Sequence, residues 1–235
     1  MVIRWVTGFL DSPSRESEDF WVAVTGSTGL SARRGPDGAF ATLLPAGGDP
    51  YLRVQVVGDG PPRGHLDLHS ADVPALAARA EALGAVRVFA DGELVVCRSP
   101  AGVPFCVVPW HGESVRPAPV GLSLLDQVCV DIPVGVFDAE ADFWATLTGW
   151  ERRWAGLPEF DFLVRGAGQP LRLLLQRVDA AAAGVHLDFA CADVPAEVAR
   201  HEARGAVVVR RVPDDWTTLR DPVGREYCVT ARWPG

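Results

Sequence analysis

The chain has 235 residues, is 48% apolar and carries a formal net charge of −8 without a single lysine, enough to bury two modest cores. That acidic balance excludes a basic nucleic-acid-binding stripe, and the missing lysine excludes both a Schiff-base amine and a P-loop. The cysteines Cys97, Cys106, Cys129, Cys191 and Cys228 lack any CxxC spacing and read as reduced thiols. No apolar run is long enough to span a bilayer, and Met1-Val2-Ile3-Arg4-Trp5 reaches charge too early for a signal peptide. A soluble, cytoplasmic protein without nucleic-acid or membrane partners is expected.

Along the chain, Ile3 to Phe9 reads as extended and Pro13 to Gly26 as a helix, with Phe20 and Val24 on one face. Leu30–Arg34, Ala39–Leu44 and Tyr51–Val57 are short strands split by Gly/Pro turns. His65–Ser70 is a further strand. Asp72 caps the helix that follows, with Pro74 in its first turn, Gly84 at its end, and Leu76, Ala80 and Leu83 as its buried stripe. Val86–Phe89, Leu94–Arg98 and Phe105–Val108 close the set. The polar stretch His111–Gly121, with Pro117 and Pro119 and no periodicity, reads as a linker.

Beyond it the chain repeats itself. Asp19-Phe20-Trp21 returns as Asp142-Phe143-Trp144, and His65-Leu66-Asp67-Leu68 as His186-Leu187-Asp188-Phe189. Pro100-Ala101-Gly102 returns as Pro222-Val223-Gly224, and Asp193-Val194-Pro195 starts the helix that Gly205 ends. A period above one hundred residues is too long for a solenoid, so the repeating unit is a fold. Domains are expected at residues 1–111 and 122–235, joined by a linker at 112–121.

The Phe-Trp-x-x-x-Thr-Gly helix end, the His-Leu-Asp strand, the Pro-x-Gly turn before the last strand, and Leu173–Val178 followed by His186–Phe189 carry a resemblance. In their order and duplication they resemble the vicinal oxygen chelate superfamily, in its glyoxalase-like and bleomycin-resistance-like branch. The resemblance implies an α+β fold of two tandem glyoxalase-like domains. Each would consist of two βαβββ modules forming an open, cup-shaped mixed sheet with helices outside.

In metal-dependent members, four inward positions supply His, Glu or Gln to a divalent ion. Carried onto this chain, those positions fall on Arg4, Gln55, His65 and Cys106 in the first repeat, and on Gln127, Gln176, His186 and Cys228 in the second. A cation beside Arg4 is electrostatically disfavoured, and neither set contains a carboxylate. No metal and no cofactor is therefore expected. The fallback is a strand-face site of His65, Asp67 and His69, which alternation places on one side of the sheet.

His65 and His186 remain as general-base candidates beside Asp67 and Asp188, although side chains two apart on a strand run parallel. Cys106 and Cys228 would serve as nucleophiles only with a partner that lowers their pKa. Trp150 and Trp154 lack counterparts in the first repeat and are the candidates for stacking on a planar ligand. The leading expectation is a protein that binds or sequesters a hydrophobic or aromatic small molecule. The rival is a lyase or isomerase of the vicinal oxygen chelate type, with a His base or an unusual metal set. A third reading makes one repeat scaffold only, so that the monomer acts as a pseudo-dimer; a homodimer is the other arrangement.

Overall fold

The computed structural model describes residues 3–58 and 60–234. In the first repeat the strands are β1 (Trp5–Ser12), β2 (Gly29–Leu30), β3 (Phe40–Leu44), β4 (Leu52–Val56), β5 (Arg63–Ser70), β6 (Val86–Asp91), β7 (Leu94–Arg98) and β8 (Pro104–Pro109). The helices are α1 (Glu18–Val24) and α2 (Val73–Ala82). The second repeat supplies β9 (Ser123–Pro133), β10 (Glu151–Trp154), β11 (Phe160–Val164), β12 (Arg172–Val178), β13 (Gly184–Cys191), β14 (Val207–Val212), β15 (Trp216–Arg220) and β16 (Glu226–Thr230). Its helices are α3 (Phe137–Thr148) and α4 (Val194–Glu202).

The strands form two eight-stranded sheets of one topology. Their orders are β2-β3-β4-β1-β5-β8-β7-β6 and, equivalently, β10-β11-β12-β9-β13-β16-β15-β14. β5 runs parallel to β8 and β13 parallel to β16, while the flanking hairpins are antiparallel. His65 and His186 occupy the same place, on the fifth strand of each sheet. The fold is α+β, as the resemblance implied.

Local chemistry explains the helices. Asp72 and Asp193 accept hydrogen bonds from the backbone N–H of Ala75 and Ala196, each at 3.0 Å, with Pro74 and Pro195 in the first turns. α1 is shorter than the expected helix from Pro13 to Gly26. The Ser14 hydroxyl accepts from the N–H of Glu16, so the residues after Pro13 close a local turn and the helix begins only at Glu18. In α2 the buried face is Val73, Leu76, Ala77 and Ala80, and Leu83 is only half-buried at the cap.

Packing divides the chain differently from the repeat. One compact unit comprises the segment up to Gly8, His65–Ser114 and Val128–Val185; the other comprises Phe9–Gly64, Val115–Gln127 and His186 onward. Each unit thus draws on both repeats. In the first, Phe105 meets Phe143 and Trp144, with the Phe105 and Trp144 rings 5.3 Å apart. The Trp144 indole donates to Glu140, which accepts the N–H of Ala101 through its other oxygen. In the second, Trp21 stacks on Phe189 and meets Tyr227 edge-on, and its indole donates to Asp221 at 2.8 Å.

The segment before β9 is tied down within the second unit. Val115 and Asp49 exchange two hydrogen bonds of 2.7 and 2.8 Å. Gly48 sits at φ +82°, and a Cβ there would lie 2.8 Å from the Pro117 nitrogen; any side chain is excluded by both conformation and space. Among the described residues, no helix is long and apolar enough to cross a membrane.

Candidate functional site

Alternation on the fifth strands sorts core from chemistry. Leu66 and Leu68, and their counterparts Leu187 and Phe189, point into the apolar layer and are fully buried. His65, Asp67 and His69, and His186 and Asp188, point to the opposite face.

In the second unit, Asp188 collects three donors. Gln127 Nε2 donates to Oδ2 at 2.6 Å, His186 Nδ1 to Oδ1 at 2.8 Å, and the backbone N–H of Cys228 to Oδ1 at 3.1 Å. The last contact follows from the parallel register that sets Asp188 opposite Cys228. Burial opposes ionisation of Asp188, but the His186 charge, the His186 and Gln127 hydrogen bonds and the Arg232 guanidinium outweigh it. They hold its pKa below the usual carboxylate range. An ionised carboxylate can only accept, so Nδ1 of His186 carries a proton, and in the neutral ring Nε2 is the basic nitrogen. The imidazole is 17% exposed while the carboxylate is 2% exposed, so a ligand reaches the ring and not the acid behind it.

This corrects the sequence expectation that side chains two apart on a strand do not meet. Alternate Cα atoms on a strand are roughly 7 Å apart, and two side chains leaning along the strand close that gap. Gln127 and the Cys228 N–H fix the carboxylate so that only the ring has to turn.

The first repeat is arranged differently. His65 Nε2 lies 3.8 Å from Asp67 Oδ1. His65, Asp67 and Cys106 each offer a ligand atom, all within 4.8 Å of one another. His69 is not part of this group, which corrects the expected trio. Its Nε2 is 2.9 Å from the Thr7 hydroxyl, and its Nδ1 is 3.7 Å from Glu113. Two residues further along the strand from Asp67, His69 lies about 13 Å of chain from His65, whereas Cys106 is the lateral neighbour of Asp67 on β8.

Arg4 also departs from expectation. It precedes β1, its guanidinium lies 5.4 Å from the centre of the Trp110 ring, and its backbone N–H donates to the carbonyl of His69. Pro13 precedes Phe20 by seven residues, but Pro133 precedes Phe143 by ten. Counting back from the Phe-Trp pair therefore overshoots by three. Matching Asp11-Ser12-Pro13 with Asp131-Ile132-Pro133 sets Thr7, not Arg4, opposite Gln127.

The remaining candidates separate. Gln55 pairs with Phe40, and Gln176 with Phe160, at equivalent register. Gln176 Oε1 lies 3.5 Å from the Cys129 thiol, a neighbour that alternation from Gln127 along β9 would have indicated. Cys228 Sγ lies 3.5 Å from the hydroxyl of Thr218. The two tryptophans expected to line a ligand site differ in exposure. Trp150 is buried beside Gly166, while Trp154 is 67% exposed with its indole bonded to the Leu157 carbonyl. The second unit also contains an apolar cavity of about 270 Å³ beside Pro117–Val120. Its lining holds no carboxylate, imidazole or thiol, so it offers no acid–base chemistry.

The residues of the first repeat fit a divalent metal by the chemistry of their donors: one imidazole, one carboxylate and one thiol on adjacent strands. His186 and Asp188 hydrogen-bond each other at 2.8 Å.

The glyoxalase-like domain family matches the chain twice, over residues 9–108 and 127–230. Comparison with curated proteins returned no match. Among solved structures, a Mn(II)-bound glyoxalase from Novosphingobium aromaticivorans is similar at TM-score 0.63 and 18% identity, over 97% of this chain and 81% of that one. A catechol 2,3-dioxygenase is similar at TM-score 0.64 and 13% identity, over 100% and 90%. A mutant 4-hydroxymandelate synthase from Streptomyces coelicolor reaches TM-score 0.60 and 19% identity, over 100% and 94%. At these identities the likeness is one of fold.

Proposed function

Because this chain belongs to the glyoxalase-like domain family of the vicinal oxygen chelate superfamily, through both of its repeats, we propose that it acts on a small organic molecule at the second repeat, with His186 as general base. The observation that carries this reading is the hydrogen-bonded series Gln127–Asp188–His186. It orients the ring, fixes its tautomer and holds a negative charge where the imidazolium would form. A protein that only sequesters a ligand has no need of a buried, ionised acid behind an accessible imidazole.

The reaction class is the lyase or isomerase kind. His186 Nε2 takes a proton from carbon next to a carbonyl; the C–H electron pair forms a C=C bond as the C=O π pair moves onto the oxygen. The protonated ring then returns the proton to the same carbon as the C=O bond re-forms. Asp188 stays ionised throughout and Gln127 holds it in place. The divalent ion implied by the fold family would supply Lewis-acid chemistry where it bound, and His65, Asp67 and Cys106 of the first repeat offer donors for one; no step at His186 is assigned to it.

Deuterium exchange into enolisable carbonyl compounds, from hydroxyacetone to phenylacetone, followed by proton NMR, tests the proposal. We expect exchange above the buffer rate for at least one compound, lowered about 10²-fold or more by His186→Gln. Asp188→Asn should lower the rate while leaving ligand-induced quenching of tryptophan fluorescence intact. Fluorescence quenching without exchange in the wild-type protein would make it a binder and overturn the catalytic reading.

A further inference from the structure

We propose that the first repeat is a binding site for a thiophilic divalent cation, Zn²⁺ in preference to Mn²⁺, held by His65, Asp67 and Cys106. The three ligand atoms lie within 4.8 Å of one another, and all belong to the same compact unit. Asp67 and Cys106 are register partners on the parallel pair β5 and β8, and His65 follows on the same face of β5. Ligands on two hydrogen-bonded strands are held more precisely than ligands on loops. Asp67 is 3% and Cys106 9% exposed, so protein covers the site on the side of these two residues.

The donor set differs from the one the superfamily resemblance implies. Only His65 and Cys106 fall at the expected positions, and Asp67 supplies the carboxylate those positions lack. A thiolate among the ligands favours Zn²⁺ or Co²⁺ over Mn²⁺ or Mg²⁺, which prefer oxygen. Three protein ligands leave the fourth tetrahedral position to solvent. Binding converts the Cys106 thiol to a thiolate and passes its proton to the buffer, so it strengthens as pH rises.

The second repeat shows what has been changed. Cys228 faces Thr218 across the β15–β16 pair, with the hydroxyl 3.5 Å from sulfur, whereas Cys106 faces Val96. Asp188 is turned onto His186 at 2.8 Å, whereas the corresponding distance for Asp67 and His65 is 3.8 Å. A His–Asp pair closed to 2.8 Å in one repeat and one at 3.8 Å in the other are two geometries of one strand position. This inference is independent of the role proposed for His186.

Full-length protein stripped with chelator and titrated with Co²⁺ tests it. We expect one Co²⁺ per chain, with a thiolate-to-cobalt charge-transfer band in the near ultraviolet that Zn²⁺ abolishes by displacement. Cys106→Ser should remove the band and weaken Zn²⁺ binding about tenfold or more, measured against a chromogenic chelator. Cys228→Ser should leave both unchanged. His65→Gln, which keeps the sulfur, should weaken Zn²⁺ binding while retaining a reduced band, and it serves if Cys106→Ser does not fold. Cobalt bound without the band, a band lost in Cys228→Ser instead, or Mn²⁺ held as tightly as Zn²⁺ would each overturn the assignment.

Discussion

Glu197 gathers contacts that make the second unit sensitive to acid. Ser123 Oγ and Arg200 donate to it, and Nε2 of His201 lies 3.1 Å from the same carboxylate. Burial alone would raise its pKa, but the hydrogen bonds from Arg200, His201 and Ser123 take it down to about 2. Burial likewise lowers the pKa of His201, against the pull of Glu197, so the ring is neutral near pH 7. It donates through Nε2 to Glu197 and accepts at Nδ1 from the Tyr227 hydroxyl, 2.9 Å away. Both pKa values lie below those of the unfolded chain, so both contributions are complete above the unfolded values and are lost as pH falls. The melting temperature should decline first as pH drops below about 6.5, the ordinary histidine value, and again from about 4.3 towards 2 as glutamate protonates. Calorimetry at pH steps checks this. His201→Gln should flatten the first decline and leave the second.

At the scale of elements, an indole anchors the first helix of each repeat by a different route. Trp21 of α1 donates directly to Asp221, which also accepts the N–H groups of Val223 and Arg225 in the turn before β16. Trp144 of α3 donates to Glu140, and Glu140 takes the N–H of Ala101 in the turn before β8. Trp21→Phe removes one donor from a buried acid that keeps others, and should cost about 1–3 kcal/mol in urea denaturation. Glu140→Ala should cost more than Trp144→Phe, because it strands both the indole and a backbone N–H. The Phe-Trp pairs, the Asp caps and the fifth strands were legible because each is a local pattern of spacing and residue type. The His186–Asp188 contact was not, since it depends on rotamers fixed by Gln127 and the Cys228 N–H, which come from other strands. Nor was the grouping of Cys106 with Asp67, which only the sheet order creates. The first-strand position was displaced to Arg4 by a three-residue difference between the repeats.

At the scale of the molecule, the repeat identified the modules but not their partners. Phe20 and Trp21 from one end of the chain meet His201 and Tyr227 from the other, and Arg225 donates to the Asp11 carbonyl and the Ser12 hydroxyl. Residues 1–111 or 122–235 made alone would each leave such faces uncovered. Neither piece should melt cooperatively as a monomer, whereas the two mixed should regain a cooperative transition in calorimetry and co-elute on size exclusion. Independent cooperative melting of either piece would refute this. The same arrangement governs synthesis. Trp21 emerges from the ribosome some two hundred residues before Asp221, so the second unit stays open until its last strand, β16, has been made. Closure over so long a loop is slow and leaves apolar surface waiting. Two nascent copies close together could then each supply the other's missing module, which makes exchanged dimers the characteristic misassembly of this chain at high expression.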